Sequence, residues 1–267
     1  MMGEVKIMWH SFHVYIHDYK LLDEYLQSEF EHLICNNLQS DIDYFFIRYW
    51  LGGPHIRLRI KENVDFDAKI FLKILKKSVD NFLSYKTPVL IDREKFYTPE
   101  MLKGEGITEV FWKRHGTVEL DEYKPEIPRY GGERGIYYAE KLFVQSSKLA
   151  QKLNKMSFSK RLFAAIDLLY FSFEVKDKTE MAQKYCDLWE IYHKNESSLK
   201  MITSLTSRRV SYLKENRDKA FKIYEEYIDL LKNNPTKIMF SHIHMTNNRI
   251  GVYPELEYCI AKSIQLA

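Results

Sequence analysis

Three side chains able to carry positive charge stand at alternate positions after a Gly-Gly turn in RYWLGGPHIRLRIK, Arg48 to Lys61. In an extended strand His55, Arg57 and Arg59 share one face, while Ile56, Leu58 and Ile60 take the other and turn to the core. Two guanidinium groups on one face lie about 6–7 Å apart and repel each other more strongly in a closed cleft than in water. A cleft would therefore need an anion, and carboxylate is the natural one, because its two oxygens match guanidinium donors bidentately. From the strand alone, a solvated charged face is the simpler explanation.

Two further stretches bear on that choice. In EIPRYGGERG, Glu126 to Gly135, Glu126 and Arg129 flank a proline and Gly131-Gly132 lead into a helix. The stretch lacks the Lys-Ser/Thr pair of a phosphate loop and follows no convincing buried strand, which argues against nucleotide binding. A tight turn with a helix start explains it as well as a functional role does. In SHIHMTNNRIG, Ser241 to Gly251, His242 and His244 would point about 200° apart on a helix. They make a poor chelating pair and have no acidic or cysteine companion motif, so no metal site is expected. A single histidine acting as acid or base fits better, since its unperturbed pKa lies near neutrality.

These residues must be held by regular elements. Lys6 to Ile16 and Tyr44 to Trp50 are rich in aromatic and β-branched residues, and LGGP joins the second run to His55 through Ile60, which predicts a hairpin. A helix over about Tyr19 to Leu38 places Leu22, Tyr25, Leu26, Phe30, Leu33 and Ile34 at three- and four-residue spacing; Phe66 to Tyr85 repeats the pattern with Phe66, Ile70, Phe71, Ile74 and Phe82. The first third therefore reads β-α-β-β-α. Thr87 to Gly132 contains Pro88, Pro99, Pro125 and Pro128 and is expected to hold short strands and ordered loops. Helices are predicted near Ile136–Leu153, Ser159–Phe173, Thr179–Lys194, Asp218–Lys232, Thr236–Thr246 and Glu255–Ile264. The expected class is α+β: an antiparallel sheet with packed helices in the N-terminal half and a mostly helical C-terminal half, as one domain over 1–267 with lobes of about 1–132 and 133–267.

Composition narrows the function classes. The chain has 267 residues, 45% of them hydrophobic, enough for a substantial core. Forty basic against 37 acidic residues leave a formal charge of +3, too balanced for a general nucleic-acid or membrane binder. Cys35, Cys186 and Cys259 are odd in number and form no CxxC pair, so buried free thiols are expected rather than disulfides or zinc ligands. The N-terminus lacks a signal-peptide pattern and no run approaches the roughly 20 apolar residues of a membrane span. A cytoplasmic protein is expected. The tyrosine-rich faces at Tyr137-Tyr138 and Tyr224 to Tyr227 are read as packing.

Taken in order, FFIRYWLGGPHIRLRI, EIPRYGG, AEKLFVQSS (Ala139 to Ser147) and SHIHMTNNRIG resemble the C-terminal elimination domain of class I lantibiotic dehydratases, which is also found as standalone thiopeptide-type bacteriocin biosynthesis proteins. The resemblance spans almost the whole chain. It implies a lyase that expels glutamate from glutamylated Ser/Thr of a precursor peptide, leaving dehydroalanine or dehydrobutyrine. The family's elimination residues fall on Arg57, Arg59, Glu126, Arg129 and His244. His244 would exchange the proton, and the three arginines would bind the leaving glutamate's carboxylates and the developing charge. Glu126 would orient an arginine or hold the glutamate's amino group. Asn248 and Arg249 are read as substrate-binding, as is His55, which shares the arginine face although the family chemistry does not require it. No cofactor, metal or direct nucleic-acid contact is implied. The partners implied are the precursor peptide, a separate chain that glutamylates it from glutamyl-tRNA, and a second copy in a homodimer. Two alternatives stand beside this: a [4+2] cycloaddition enzyme that forms the thiopeptide nitrogen ring, and a non-catalytic precursor-binding subunit.

Overall fold

The computed structural model describes residues 8–193 and 195–266. They form an α+β protein in two compact units, one ending at Pro125 and the other starting at Glu126.

The first unit is built on a four-stranded antiparallel sheet of order β2-β3-β1-β4. The strands are β1 (Trp9–Tyr15), β2 (Tyr44–Tyr49), β3 (His55–Lys61) and β4 (Val118–Glu122); Lys6 and Ile7, expected in β1, lie outside the described residues. One face carries Phe12, Val14, Phe46, Ile56, Leu58 and Ile60, all essentially inaccessible. Helix α1 (Tyr19–Asn37) meets that face through Phe30 on Phe46, and α2 (Ala68–Leu83) through Phe71 on Phe12. Asp18 caps α1 by accepting from the Lys20 and Leu21 amides, a cap worth about 1 kcal/mol. In α1 the residues expected in the core are buried. In α2 the buried stripe is Phe71, Leu75, Val79 and Phe82. It is rotated from the expected face, and Ile70 is exposed because the Phe71-Leu75-Val79 row already fills the contact.

Between Thr87 and Gly132 the chain adds β4 and two short helices, α3 (Arg93–Phe96) and α4 (Pro99–Glu105). Pro99 starts a helix here, with the Thr98 hydroxyl accepting from the Met101 amide and Gly106 closing the end at φ +63°.

The second unit is helical: α5 (Glu133–Asn154), α6 (Phe158–Glu174), α7 (Lys178–Trp189) followed by a 3-10 turn (Glu190–Tyr192), α8 (Glu196–Glu215), α9 (Arg217–Phe221), α10 (Glu225–Leu231), α11 (Thr236–Arg249) and α12 (Pro254–Leu266). Lys194, expected in α7, is outside the described residues. The helix expected over Asp218–Lys232 is two helices, parted where buried Tyr224 turns inward to bond Asp167 Oδ2 at 3.1 Å. Helix α8 was not expected. Helix α12 packs on α7 and α8 and buries most of its length, including Glu257 and Cys259. Cys186 is buried as well, whereas Cys35 is exposed, against expectation, because it sits on the solvent side of α1.

Candidate functional site

The charged face of β3 is not a solvated one. Opposite Ile56, Leu58 and Ile60, cross-strand pairing sets out two rows of side chains: Phe45, Arg59, Ser11 and Asp121, and beside it Ile47, Arg57, His13 and Glu119. A guanidinium thus occupies each row, with the acidic pair of β4 two strands away. Arg59 is only 7% exposed and lies 5.7 Å from the Phe45 ring and 5.6 Å from the Tyr123 ring. Arg57 lies flat over Tyr49 at 3.6 Å.

His55 explains how Arg57 is aimed. The Gly53 carbonyl, which can only accept, lies 2.8 Å from His55 Nδ1, so that nitrogen carries the proton. Nε2 is then an acceptor, and Arg57 Nε donates to it across 3.1 Å. The ring is inaccessible and stacks on Tyr15 at 4.4 Å. Burial, with Arg57 second, holds its pKa well below the usual histidine range, consistent with a neutral acceptor. His55, expected to bind substrate, holds Arg57 through Nε2. The turn that makes this possible runs through Gly52 and Gly53 at φ +93° and +97°. His13, which sequence reasoning did not single out, sits in the Arg57 row. Burial, Arg57 and Arg59 push its pKa down to about 3.

In the second unit EIPRYGG is a turn fastened to α11. Arg129 NH1 meets Glu126 Oε2 at 3.1 Å, and Arg129 Nε donates to Ser241 Oγ at 3.3 Å. Buried Tyr130 packs on His242 and Phe143 at 5.2 and 5.1 Å. Gly135 lets the turn close, since a Cβ there would fall 1.8 Å from the Tyr130 carbonyl oxygen.

Helix α11 separates its two histidines as its geometry requires. His242 is 2% exposed and its pKa is lowered to about 3, by burial first and Arg249 second. Ser241, His244 and Asn248 share the partly exposed face, three and seven residues along. Glu126 and Arg129 thus meet α11 at Ser241, one turn before His244 on the same face.

His244 Nδ1 lies 2.8 Å from Oε1 of Glu257, a carboxylate with no exposed surface. Trp189 packs against the imidazole, with ring centroids 4.4 Å apart. Glu257, one of 37 acidic residues, gave no sequence signal. Arg249, expected to bind substrate, is 1% exposed: its Nε donates to Ser147 Oγ at 3.0 Å and its carbonyl accepts from Asn154. Burial brings its pKa down to about 10. It ties AEKLFVQSS to HMTNNR and is not on the His244 face. Among the described residues, no cluster of three His, Cys, Asp or Glu could hold a metal ion, and no helix is long and apolar enough to cross a membrane.

An antiparallel sheet with an arginine-bearing face, joined to a helical unit carrying a histidine and carboxylate pair, defines the class. The family model described as lantibiotic biosynthesis dehydratase C-term matches residues 9–266, and the chain belongs to that family. Among solved structures, the fold is similar to the pyridine synthase TbtD from thiomuracin biosynthesis (TM-score 0.66, 11% identity, 97% of this chain and 96% of that one). It is similar also to TsrL (TM-score 0.60, 13% identity, 97% and 94%). The tRNA-dependent lantibiotic dehydratase MibB from Microbispora sp. 107891 matches at TM-score 0.52 and 14% identity over 96% of this chain, which spans 27% of that protein. No curated protein sequence matches significantly.

Proposed function

We propose that the protein modifies a ribosomally made precursor peptide by eliminating glutamate from glutamylated Ser or Thr. The observation that carries this reading is the pair of oriented arginines in the first unit, Arg57 and Arg59; the second unit holds the Glu126–Arg129 turn and a carboxylate-backed His244. In the reaction His244 Nε2 takes the α-proton. The C–H electron pair becomes the Cα=Cβ bond, and the Cβ–O pair departs with glutamate as a carboxylate. The imidazolium then returns its proton to solvent.

Negative charge grows on the departing carboxylate and on the enolate-like peptide, so fixed cations aimed in advance lower the barrier without reorganising. Arg57, Arg59 and Arg129 fill that role. Glu126, paired with Arg129, orients it or holds the glutamyl amino group. Glutamylation is supplied by a tRNA-dependent activity.

A second reading is formal [4+2] cycloaddition between two dehydroalanines. It is favoured by the likeness in fold to a pyridine synthase, but it gives the arginines no carboxylate to bind. Incubation with a glutamylated peptide, following free glutamate and the loss of mass, tests the first reading. Incubation with a multiply dehydrated peptide, following ring closure, tests the second. Tight peptide binding without either product would mark a non-catalytic subunit. Unchanged glutamate release in both His244→Ala and Arg57→Ala would overturn elimination.

A further inference from the structure

We infer that Glu257 is the positioning residue for proton transfer, fixing the tautomer and plane of His244; this rests on the elimination reading. Glu257 is inaccessible to solvent, one turn into α12, and its two oxygens face three donors from two helices. Oε1 receives His244 Nδ1 at 2.8 Å from α11. Oε2 receives Asn247 Nδ2 at 3.1 Å, also from α11, and the Tyr185 hydroxyl from α7.

Tyr185 is wholly buried, and burial together with Glu257 raises its pKa well above the usual tyrosine value, so its hydroxyl stays a donor. With Asn247 and Tyr185 holding one oxygen, the other is locked towards His244. A buried carboxylate persists where its lone pairs are answered in this way.

The consequence falls on the imidazole. An acceptor at Nδ1 requires that nitrogen to carry the proton, which makes Nε2 the one that exchanges protons. Trp189 covers the ring at 4.4 Å and fixes its plane. Once Nε2 has taken the substrate proton, the Glu257 carboxylate stabilises the imidazolium at hydrogen-bond distance. His242, two residues earlier, faces Tyr130 and Phe143 and has no such partner. Among the described residues, Glu257 faces His244 and Tyr185, with Tyr227 within electrostatic reach, and Arg129 holds Ser241 one turn before His244.

The experiment measures glutamate release from a glutamylated peptide against pH for the full-length protein, Glu257→Gln and Glu257→Asp. In parallel, 15N spectra of histidine-labelled protein, with the His244 signal assigned by His244→Asn, report which ring nitrogen bears hydrogen. The expected result is an Nδ1–H tautomer at His244. Glu257→Gln is expected to lower kcat about ten- to a hundredfold with KM little changed and the acidic limb of the profile moved to lower pH, because the anion that stabilises imidazolium is gone. Glu257→Asp is expected to restore part of the rate.

An Nε2–H tautomer in the unaltered protein would overturn the inference, as would Glu257→Gln with an unchanged rate and limb. The spectra need no Glu257 variant to fold. If the unaltered protein releases no glutamate while His244 shows Nδ1–H, the elimination reading fails and the positioning role survives.

Discussion

Arg57 Nε donates to Nε2 of His55 across 3.1 Å, and the imidazole that receives it is oriented by a backbone carbonyl. A guanidinium tethered at one edge and laid on Tyr49 presents its plane in a fixed direction. His55→Ala is therefore expected to slow glutamate release by about ten- to a hundredfold through misplacement of Arg57. Steady-state rates measured by mass spectrometry, with circular dichroism to show that the sheet is intact, check this.

Arg57→Lys keeps the charge and loses both the planar stack and the Nε donor. A loss of about a hundredfold or more in kcat/KM is expected, since an ammonium cannot reproduce bidentate geometry. A lysine variant with nearly full activity would mean that Arg57 acts as a point charge alone.

Four histidines give the protein a shared acid sensitivity. The pKa values of His13, His17 and His242 are lowered to about 3, 4 and 3, and that of His55 well below its usual value, with burial the first cause in each. The unfolded chain takes up these protons near pH 6.5 and the folded one resists them. Stability is therefore full above about pH 6.5 and falls as pH drops towards 4. Melting temperatures measured between pH 8 and 4.5 are expected to fall most steeply below pH 6.5, and His242→Phe is expected to flatten part of that slope.

Much of the first unit was legible because its core follows simple periods. Ile56, Leu58 and Ile60 alternate with charge, and α1 buries the residues that three- and four-residue spacing selects. Helix α8 was missed because Ser197, Ser198, Thr203, Ser204, Thr206, Ser207 and Ser211 dilute its apolar stripe to Ile202, Val210 and Leu213 with Thr206 between. Helix α4 was missed because Pro99 read as a breaker when it begins the helix. The charged residues of the candidate site stand in motifs and can be named from sequence. The partners that orient them cannot: Glu257, Tyr49 and Ser241 are ordinary residues on ordinary elements, and only the packing of α12 against α11 reveals the first. Sequence shows the charge of His55 and Arg249 and not the burial that the structure gives them.

Gly53→Ala should destabilise the first unit. Its φ is +97°, and a Cβ there would lie 2.4 Å from Nε2 of buried His17. A cost of roughly 1–3 kcal/mol is expected, read from the denaturant midpoint, together with a loss of activity from the displaced His55.

Asp167 offers a control remote from the proposed chemistry. It is 1% exposed and receives Arg209 through Nε at 2.7 Å and NH2 at 2.6 Å, with the Tyr224 hydroxyl at 3.1 Å. Arg209→Leu leaves that carboxylate buried without its cation and is expected to cost about 3–5 kcal/mol in chemical unfolding. Activity per folded molecule should be preserved.

The junction between Pro125 and Glu126 falls between the two sets of residues. Arg57, Arg59 and the imidazole that aims the first are encoded before it; Glu126, Arg129, His244 and Glu257 are encoded after it. Two of the three arginines proposed to bind the anion thus lie in one contiguous stretch of the gene, and the third lies in another with the proposed proton-handling pair. A chimaera between two family members with its crossover at this codon would exchange one set of residues without breaking any hydrogen bond described within the other.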